Sequence, residues 1–194
     1  MYVPDYSKYD DEYLSDYKET ENIDTGPPFQ DIPVTETESE NEPPGPPPVI
    51  VYRKEWGALE ELREQRTFTF PVENVIYSYT ETDVCNTRAE CIQAMKDMQK
   101  KHMEQGYPDI KFNFVLGGDG KVYEGTGWYV RAPLNEQYPS LEGQHIEFAH
   151  TGRRHDFPDR EKVKLINRLY DYGIETKHIA SDSRVCIDYM WPTS

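Results

Sequence analysis

A proline-rich run at residues 43–48 divides the chain into two parts with different capacities to fold. The first 48 residues carry 13 of the 36 acidic residues and two basic ones, so they supply about −11 of the net charge of −15. No apolar period persists there, and such a segment cannot bury enough surface to offset the entropy lost on ordering. We therefore predict a disordered, acidic, tyrosine- and proline-rich tail over residues 1–48 and one folded domain over residues 49–194.

The tail contains regularly spaced tyrosines with acidic neighbours. They recur every three or four residues, a spacing that would align them on one face of a helix formed on a partner. Acid-flanked tyrosines are typical of sulfation in secreted proteins or phosphorylation in cytosolic ones, and either modification suits an arginine-rich partner surface. The alternative is a solubilising tail without a specific partner. The tyrosines are Tyr2, Tyr6, Tyr9, Tyr13 and Tyr17.

The charge balance of the folded part excludes two classes of partner. Residues 49–194 hold 19 basic and 23 acidic residues, which leaves no basic face for nucleic acid or for an anionic membrane surface. No apolar stretch approaches 18 residues, so we expect no transmembrane segment. The first residues also lack the basic end and apolar centre of a secretory signal, which favours an intracellular form or a processed chain.

The folded part predicts an α/β structure with a central mixed β-sheet flanked by helices. Its strongest signal is a β-hairpin, because two β-rich halves flank the turn at residues 117–120. The other predicted elements are a strand at 72–79, a helix at about 89–104, a strand at 144–149, and a helix at about 158–172 that ends at Gly173.

The cysteines bear on the cellular compartment. Cys85 and Cys91 flank a short turn before the first long helix, a spacing compatible with a disulfide. A disulfide would indicate an oxidising compartment and therefore a secreted or extracellular protein. Cys186 is expected to be a free, partly buried thiol.

Six short motifs, in order, give the chain its resemblance to a known family. The chain resembles the peptidoglycan recognition proteins, animal relatives of phage-type zinc amidases, over most of residues 49–185. The resemblance implies a mixed sheet flanked by helices and a disulfide between Cys85 and Cys91. The motifs are RKEWGA at 53–58, VIYSYT at 75–80, CNTRAEC at 85–91, MQKKHM at 98–103, DIKFNF at 109–114 and GDGKVYEGTGW at 118–128.

The family resemblance also implies a groove that holds a muramyl peptide. Aromatic faces and amide groups suit a ligand made of sugar and peptide. Phe114 is expected to be a core residue, whereas Trp128 is either a core aromatic or part of the groove. The groove residues implied are Tyr79, Thr80, Phe112, Asn113, Trp128, Tyr129 and Val130.

The same resemblance predicts that this domain does not hydrolyse amides. Zinc catalysis needs three protein ligands and an open position for water. Ser78 stands where catalytic relatives have the first histidine ligand, and Asp188 is the nearest counterpart of the second. The sequence ends at Ser194, before the turn that would carry the third. Phe112 replaces the tyrosine that assists the zinc-bound water.

We therefore expect no metal and no cofactor. His145 and His150 do not form a replacement cluster, since residues five apart on a strand point to opposite faces. The C-terminal helix of the family is expected to be missing. The resemblance does not indicate a ligand type, because Tyr129-Val130 matches neither pair that the family links to diaminopimelate- or lysine-type ligands, and Thr126 replaces an arginine common in this motif.

Two functions follow from these features. The first is a non-catalytic peptidoglycan-recognition-like protein of innate immunity, which binds bacterial cell-wall fragments or regulates related recognition proteins. Its partners would be muramyl peptides or peptidoglycan, and a protein partner such as a related recognition protein. The alternative is an interaction protein whose acidic tyrosine-rich tail binds a protein partner while the folded domain acts as a scaffold.

Overall fold

The computed structural model describes residues 46–60, 68–133, 135, 138–141, 143–153, 156 and 158–187. The predicted disorder of the tail and the modification of its tyrosines lie outside this range, apart from residues 46–48. Asp188 and the residues after it also lie outside, as does the expectation that a C-terminal helix is missing. These statements, and the domain boundary at residue 49, stay predictions.

Six strands and three α-helices are present in the described part of the chain. A short 3-10 helix, Pro139–Leu141, precedes the fifth strand. The elements, in chain order, are β1 (Ile50–Val51), α1 (Arg53–Trp56), β2 (Val72–Tyr79), α2 (Arg88–Glu104), β3 (Phe114–Leu116), β4 (Val122–Glu124), β5 (His145–His150), α3 (Arg160–Glu175) and β6 (Ile179–Ile187).

The strands form one mixed sheet, which confirms the predicted fold class. Their order across the sheet is β1-β4-β3-β5-β2-β6. Strands β3 and β4 are the predicted antiparallel hairpin, and the other neighbouring pairs are parallel. The predicted strand at 72–79 is β2, and the predicted helix at 89–104 is α2 with one residue added at its start.

The prediction that Gly173 ends the last helix is wrong. Gly173 lies inside α3, which continues to Glu175. A Cβ at this position would lie 2.5 Å from the Ile179 side chain, so the glycine allows the helix to pack closely against the start of β6. The helix ends at Thr176, whose hydroxyl donates to the Tyr172 carbonyl at 2.6 Å.

The two faces of the sheet carry separate apolar cores. Side chains alternate along each strand, so Phe114 and Phe148 lie in the core beneath α3. Val115 and Ala149, each one residue further on, lie in the core beneath α2. This second core centres on β1, β3 and β4, and on the same face β2 and β5 carry the polar residues Asn74, Ser78, His145 and Glu147 beside Ile76 and Ala149.

The first turn of α2 is fixed by a cap and a disulfide. The Thr87 hydroxyl accepts from the Glu90 amide, and the Glu90 carboxylate accepts from the Thr87 amide, which is a capping box. The predicted disulfide between Cys85 and Cys91 is present, and Cys186 is a free, half-buried thiol. These links fix the turn before α2 to the first turn of the helix.

A buried ion pair fixes the loop that follows α2. The Arg53 guanidinium lies 2.8 Å from one carboxylate oxygen of Asp109. The other oxygen accepts from the Gln99 side chain and from the Ile110 amide, both at 2.7 Å. Because the charged groups are paired and hydrogen-bonded, the loop before β3 is anchored to both α1 and α2.

Truncating the α3 core should destabilise the whole domain. Leu169 is fully buried between α3 and the sheet, so Leu169→Ala is expected to lower the free energy of unfolding by about 2–5 kcal/mol. Lys164→Ala, on the exposed face of the same helix, should change it by less than about 0.5 kcal/mol. Urea denaturation checks both, and equal effects would contradict this packing.

Candidate binding cleft

A cleft of about 340 Å³ opens on the α2 side of the sheet, beside the C-terminal end of α2. Its floor is formed by residues of β2 and β5, including Ser78 and Glu147. The end of α2 supplies Lys101 and His102, and the following loop supplies Lys111 and Phe112. The cleft is therefore lined by charged, amide and aromatic groups together.

The floor contains a buried carboxylate. Glu147 is 4% exposed, and one of its oxygens accepts from the Ser78 hydroxyl at 2.6 Å and from the Asn135 amide at 3.0 Å. Its other oxygen lies 3.7 Å from Nε2 of His145. The His145 Nδ1 lies 2.9 Å from the Leu141 carbonyl, so Nδ1 carries the proton, because a carbonyl only accepts.

The wall at the end of α2 centres on His102. Its Nδ1 accepts from the Lys111 amide at 3.1 Å, and its ring meets the Phe112 ring edge-on at 5.7 Å. Burial, followed by the charges of Lys111 and Lys101, lowers the pKa of His102 to about 4. The imidazole is therefore neutral at physiological pH, and the lysines provide the positive charge of this wall.

The predicted groove residues divide between the cleft and its support. Tyr79, Thr80 and Phe112 line the cleft together with Ser78. Asn113 is fully buried. Its amide nitrogen donates to the Gly127 and Val130 carbonyls, both at 2.8 Å, and its oxygen accepts from the Glu147 amide at 2.8 Å. Asn113 therefore connects the 126–130 loop to β5 through hydrogen bonds at both ends of its side-chain amide.

The three residues of the 128–130 segment do not line this cleft. Trp128 is 8% exposed and belongs to the α3-side core, where its ring stacks on His178 at 4.8 Å. Tyr129 is 63% exposed, and its ring meets Phe70 and His178 edge-on. Trp128 therefore lies in the core, and its part in ligand binding stays a prediction. Val130 is half-buried and contributes its carbonyl to Asn113.

Several cleft residues were not predicted from the sequence. These residues become neighbours only through the tertiary fold. Glu147 was also not predicted, but the sequence contains a signal that could have identified it: a carboxylate in the otherwise apolar-rich strand HIEFAH. The residues are Glu81, Lys101, His102, Gln105, Lys111, Asn135 and Glu147.

The donor atoms around Ser78 do not fit the zinc site that the resemblance implies. A serine hydroxyl that donates to a carboxylate is not a typical zinc ligand, and Phe112 has no hydroxyl. His145 and His150 share no partner, since His150 contacts the Tyr77 hydroxyl and the Asp156 carbonyl. Within the described residues, no three His, Cys, Asp or Glu side chains converge. Asp188 lies outside them.

A mixed sheet between helices, with a polar and aromatic cleft beside the end of α2, defines a peptidoglycan-recognition type of domain. The structure of peptidoglycan recognition protein-LE in complex with tracheal cytotoxin superimposes with a TM-score of 0.68 and 26% identity, over 75% of this chain and 85% of that one. The ectodomain complex of the proteins LCa and LCx bound to tracheal cytotoxin superimposes with a TM-score of 0.66 and 28% identity, over 72% of this chain and 83% of that one.

Curated relatives agree with the structural similarity, whereas no protein-family model matches the chain. Peptidoglycan-recognition protein 1 of Holotrichia diomphalia is 37% identical over 66% of this chain and 64% of its own length. The peptidoglycan recognition protein of Trichoplusia ni is 31% identical over 70% of this chain and 74% of its own length. The chain belongs to the peptidoglycan recognition protein family. It spans slightly less than two thirds of the Holotrichia protein. No helix in the described ranges has the length and apolar character to cross a bilayer.

The buried histidine of the cleft should make stability depend on pH. Folding lowers the pKa of His102 from 6.5 to about 4, so the unfolded chain binds a proton at this residue at a higher pH than the folded chain does. The contribution of neutral His102 to the free energy of unfolding is therefore fully present above pH 6.5 and is lost as the pH falls towards 4. The loss should reach up to about 3 kcal/mol. His102→Gln should flatten this part of the profile, as measured by urea denaturation between pH 7 and pH 4. Parallel profiles for wild type and variant would contradict the assignment.

Proposed function

We propose that this chain is a non-catalytic recognition domain that binds muramyl peptides of the bacterial cell wall in the cleft and acts as a receptor in innate immunity. The observation that carries the proposal is the cleft itself, in which Tyr79, Thr80 and Phe112 meet the charged groups of the floor and wall. A concave site of this size suits a small ligand. Peptidoglycan recognition protein-LE, similar in fold, has been solved with tracheal cytotoxin, a monomeric diaminopimelic acid-type peptidoglycan.

The chemistry of the lining supports a ligand that is part sugar and part peptide. The rings of Tyr79 and Phe112 offer apolar contact to sugar and methyl groups. The ammonium groups of Lys101 and Lys111 suit a peptide carboxylate, and the floor offers a hydrogen-bond acceptor in Glu147. A ligand with only one of these properties would use only part of the cleft.

The absence of catalysis in this proposal rests on two positions. By the family resemblance Ser78 corresponds to the first zinc ligand, and its hydroxyl donates to Glu147 at 2.6 Å. By the same resemblance Phe112 corresponds to the assisting tyrosine, and its ring packs against neutral His102. Neither residue can hold a metal or assist a metal-bound water. Binding without hydrolysis is the function that these two side chains favour.

Zinc content tests the non-catalytic part of the proposal. We expect the purified full chain, incubated with equimolar Zn²⁺ and then dialysed, to retain well below one zinc per molecule, because a single carboxylate such as that of Asp188 would hold zinc weakly. Atomic emission spectrometry measures the content, and a family member with amidase activity serves as the positive control. One tightly held zinc per chain, together with release of peptide from muramyl peptide, would overturn this part.

Blocking the cleft tests the binding part. Gln105→Trp places a large side chain at the cleft wall, and we expect at least about a tenfold loss of affinity for a soluble muramyl peptide in titration calorimetry. Gln93→Trp is the matched control, because Gln93 lies on the exposed surface of the same helix and outside the cleft. Retention on insoluble peptidoglycan should show the same difference between the two variants.

The alternatives give different results in the same assay. Equal binding by the two tryptophan variants would place the ligand elsewhere and contradict the proposed cleft. If the wild type is not retained at all, regulation of a related recognition protein becomes the better proposal, and the complex of LCa with LCx is the precedent for pairing in this family. A chain that starts at residue 49 should bind muramyl peptide as the full chain does. A protein partner that the full chain captures and this deletion does not would favour the tail-centred alternative.

A further inference from the structure

The carboxylate of Glu147 is unusual for the middle of a sheet. Its strand, β5, is paired on both sides, with β2 and with β3, and the side chain is 5% exposed. Burying an ionised carboxylate costs several kcal/mol unless a cation or several donors compensate. The side chain nevertheless reaches the cleft and forms part of its floor.

The protein compensates this charge mainly with neutral donors. Ser78 and Asn135 both donate to the same oxygen. The other oxygen faces Nε2 of His145, which is buried and has no hydrogen-bond partner. Nδ1 of the same ring donates to the Leu141 carbonyl at 2.9 Å, so the ring is held in this orientation beside the carboxylate. No lysine or arginine of the described residues lies within 4.0 Å of Glu147 to form an ion pair.

Opposite sides of the cleft carry opposite charges. Lys101 and Lys111 stand at the wall formed by the end of α2 and the loop after it, and both act on the pKa of His102. Glu147 stands on β5, and Glu81 follows β2. Anionic groups of a ligand therefore favour the lysine wall, whereas a cationic group favours the floor.

We propose that Glu147 binds the side-chain ammonium group of the lysine or diaminopimelate residue in a peptidoglycan stem peptide. It thereby acts as a specificity-determining residue that selects a free amine over an acylated one. This inference rests on the proposed function of the cleft. It assigns the selection to the floor, because Tyr129 and Val130, the pair that the family resemblance connects with ligand type, do not line the cleft. An ammonium at Glu147 would form a charge-assisted hydrogen bond in a site shielded from water.

Two ligands that differ by one acetyl group test this inference. The full chain is titrated with a muramyl tripeptide that ends in lysine and with its Nε-acetyl derivative. We expect the wild type to bind the free amine at least about tenfold more tightly. Glu147→Gln keeps the shape and an acceptor oxygen but removes the charge, so it should reduce this ratio to about two or less while binding of the acetylated ligand is retained. Glu161→Gln, on the exposed face of α3, should keep the wild-type ratio.

The outcomes separate this inference from the proposed function. Equal wild-type affinity for the two ligands overturns the role of Glu147 while the cleft remains a muramyl-peptide site. Wild-type binding of neither ligand overturns both proposals. A full amine preference in Glu147→Gln also overturns the role. Thermal melting shows whether the variant is folded, and if it is not, the wild-type comparison of the two ligands decides alone.

Discussion

The parallel pairing of β5 between β2 and β3 is the constraint on which the rest of the structure depends. Its register aligns Phe148 with Tyr77 and Phe114, so these rings share the face beneath α3. The same register turns Glu147 towards α2 and the cleft. A shift of one residue would exchange the two faces, placing the carboxylate in the apolar core and the phenyl ring in the cleft. The charge on Glu147 therefore helps to specify the register as well as the chemistry of the site.

Local patterns in the sequence were sufficient to predict the main helices and strands, but not the strands at the edges of the sheet. Strand β2 and the hairpin of β3 and β4 have strong β-rich signals, and α2 has a cap and an apolar period. Strand β6 was missed because its sequence, IASDSRVCI, is interrupted by the four polar residues at 181–184 and becomes a strand by pairing with β2. Gly173 was misread as a helix end because a glycine required for close packing has the same appearance in a sequence as a glycine that terminates a helix.

The candidate site was predicted in part, and the remainder depends on tertiary contacts. Tyr79 and Thr80 line the cleft from the end of β2, and Phe112 reaches it from the loop before β3. Lys101 and His102 are brought there by the end of α2, and Lys111 by the loop after it. An apolar period predicts a helix but does not give its position relative to the sheet. Trp128 could not be assigned from the sequence, since an aromatic residue after a hairpin suits a core and a groove equally.

The position of Asn113 has a consequence for how such a domain changes its ligand. Both ends of this buried amide are hydrogen-bonded, to the backbone of β5 and to the backbone of the 126–130 loop, so almost any replacement would leave buried groups unpaired. By contrast, Lys101 and Gln105 line the cleft with exposed side chains, so they can be replaced without leaving buried groups unpaired. The buried network around Asn113 and the exposed residues of the cleft can therefore change independently. Ligand recognition can diverge among related chains while the domain keeps its stability.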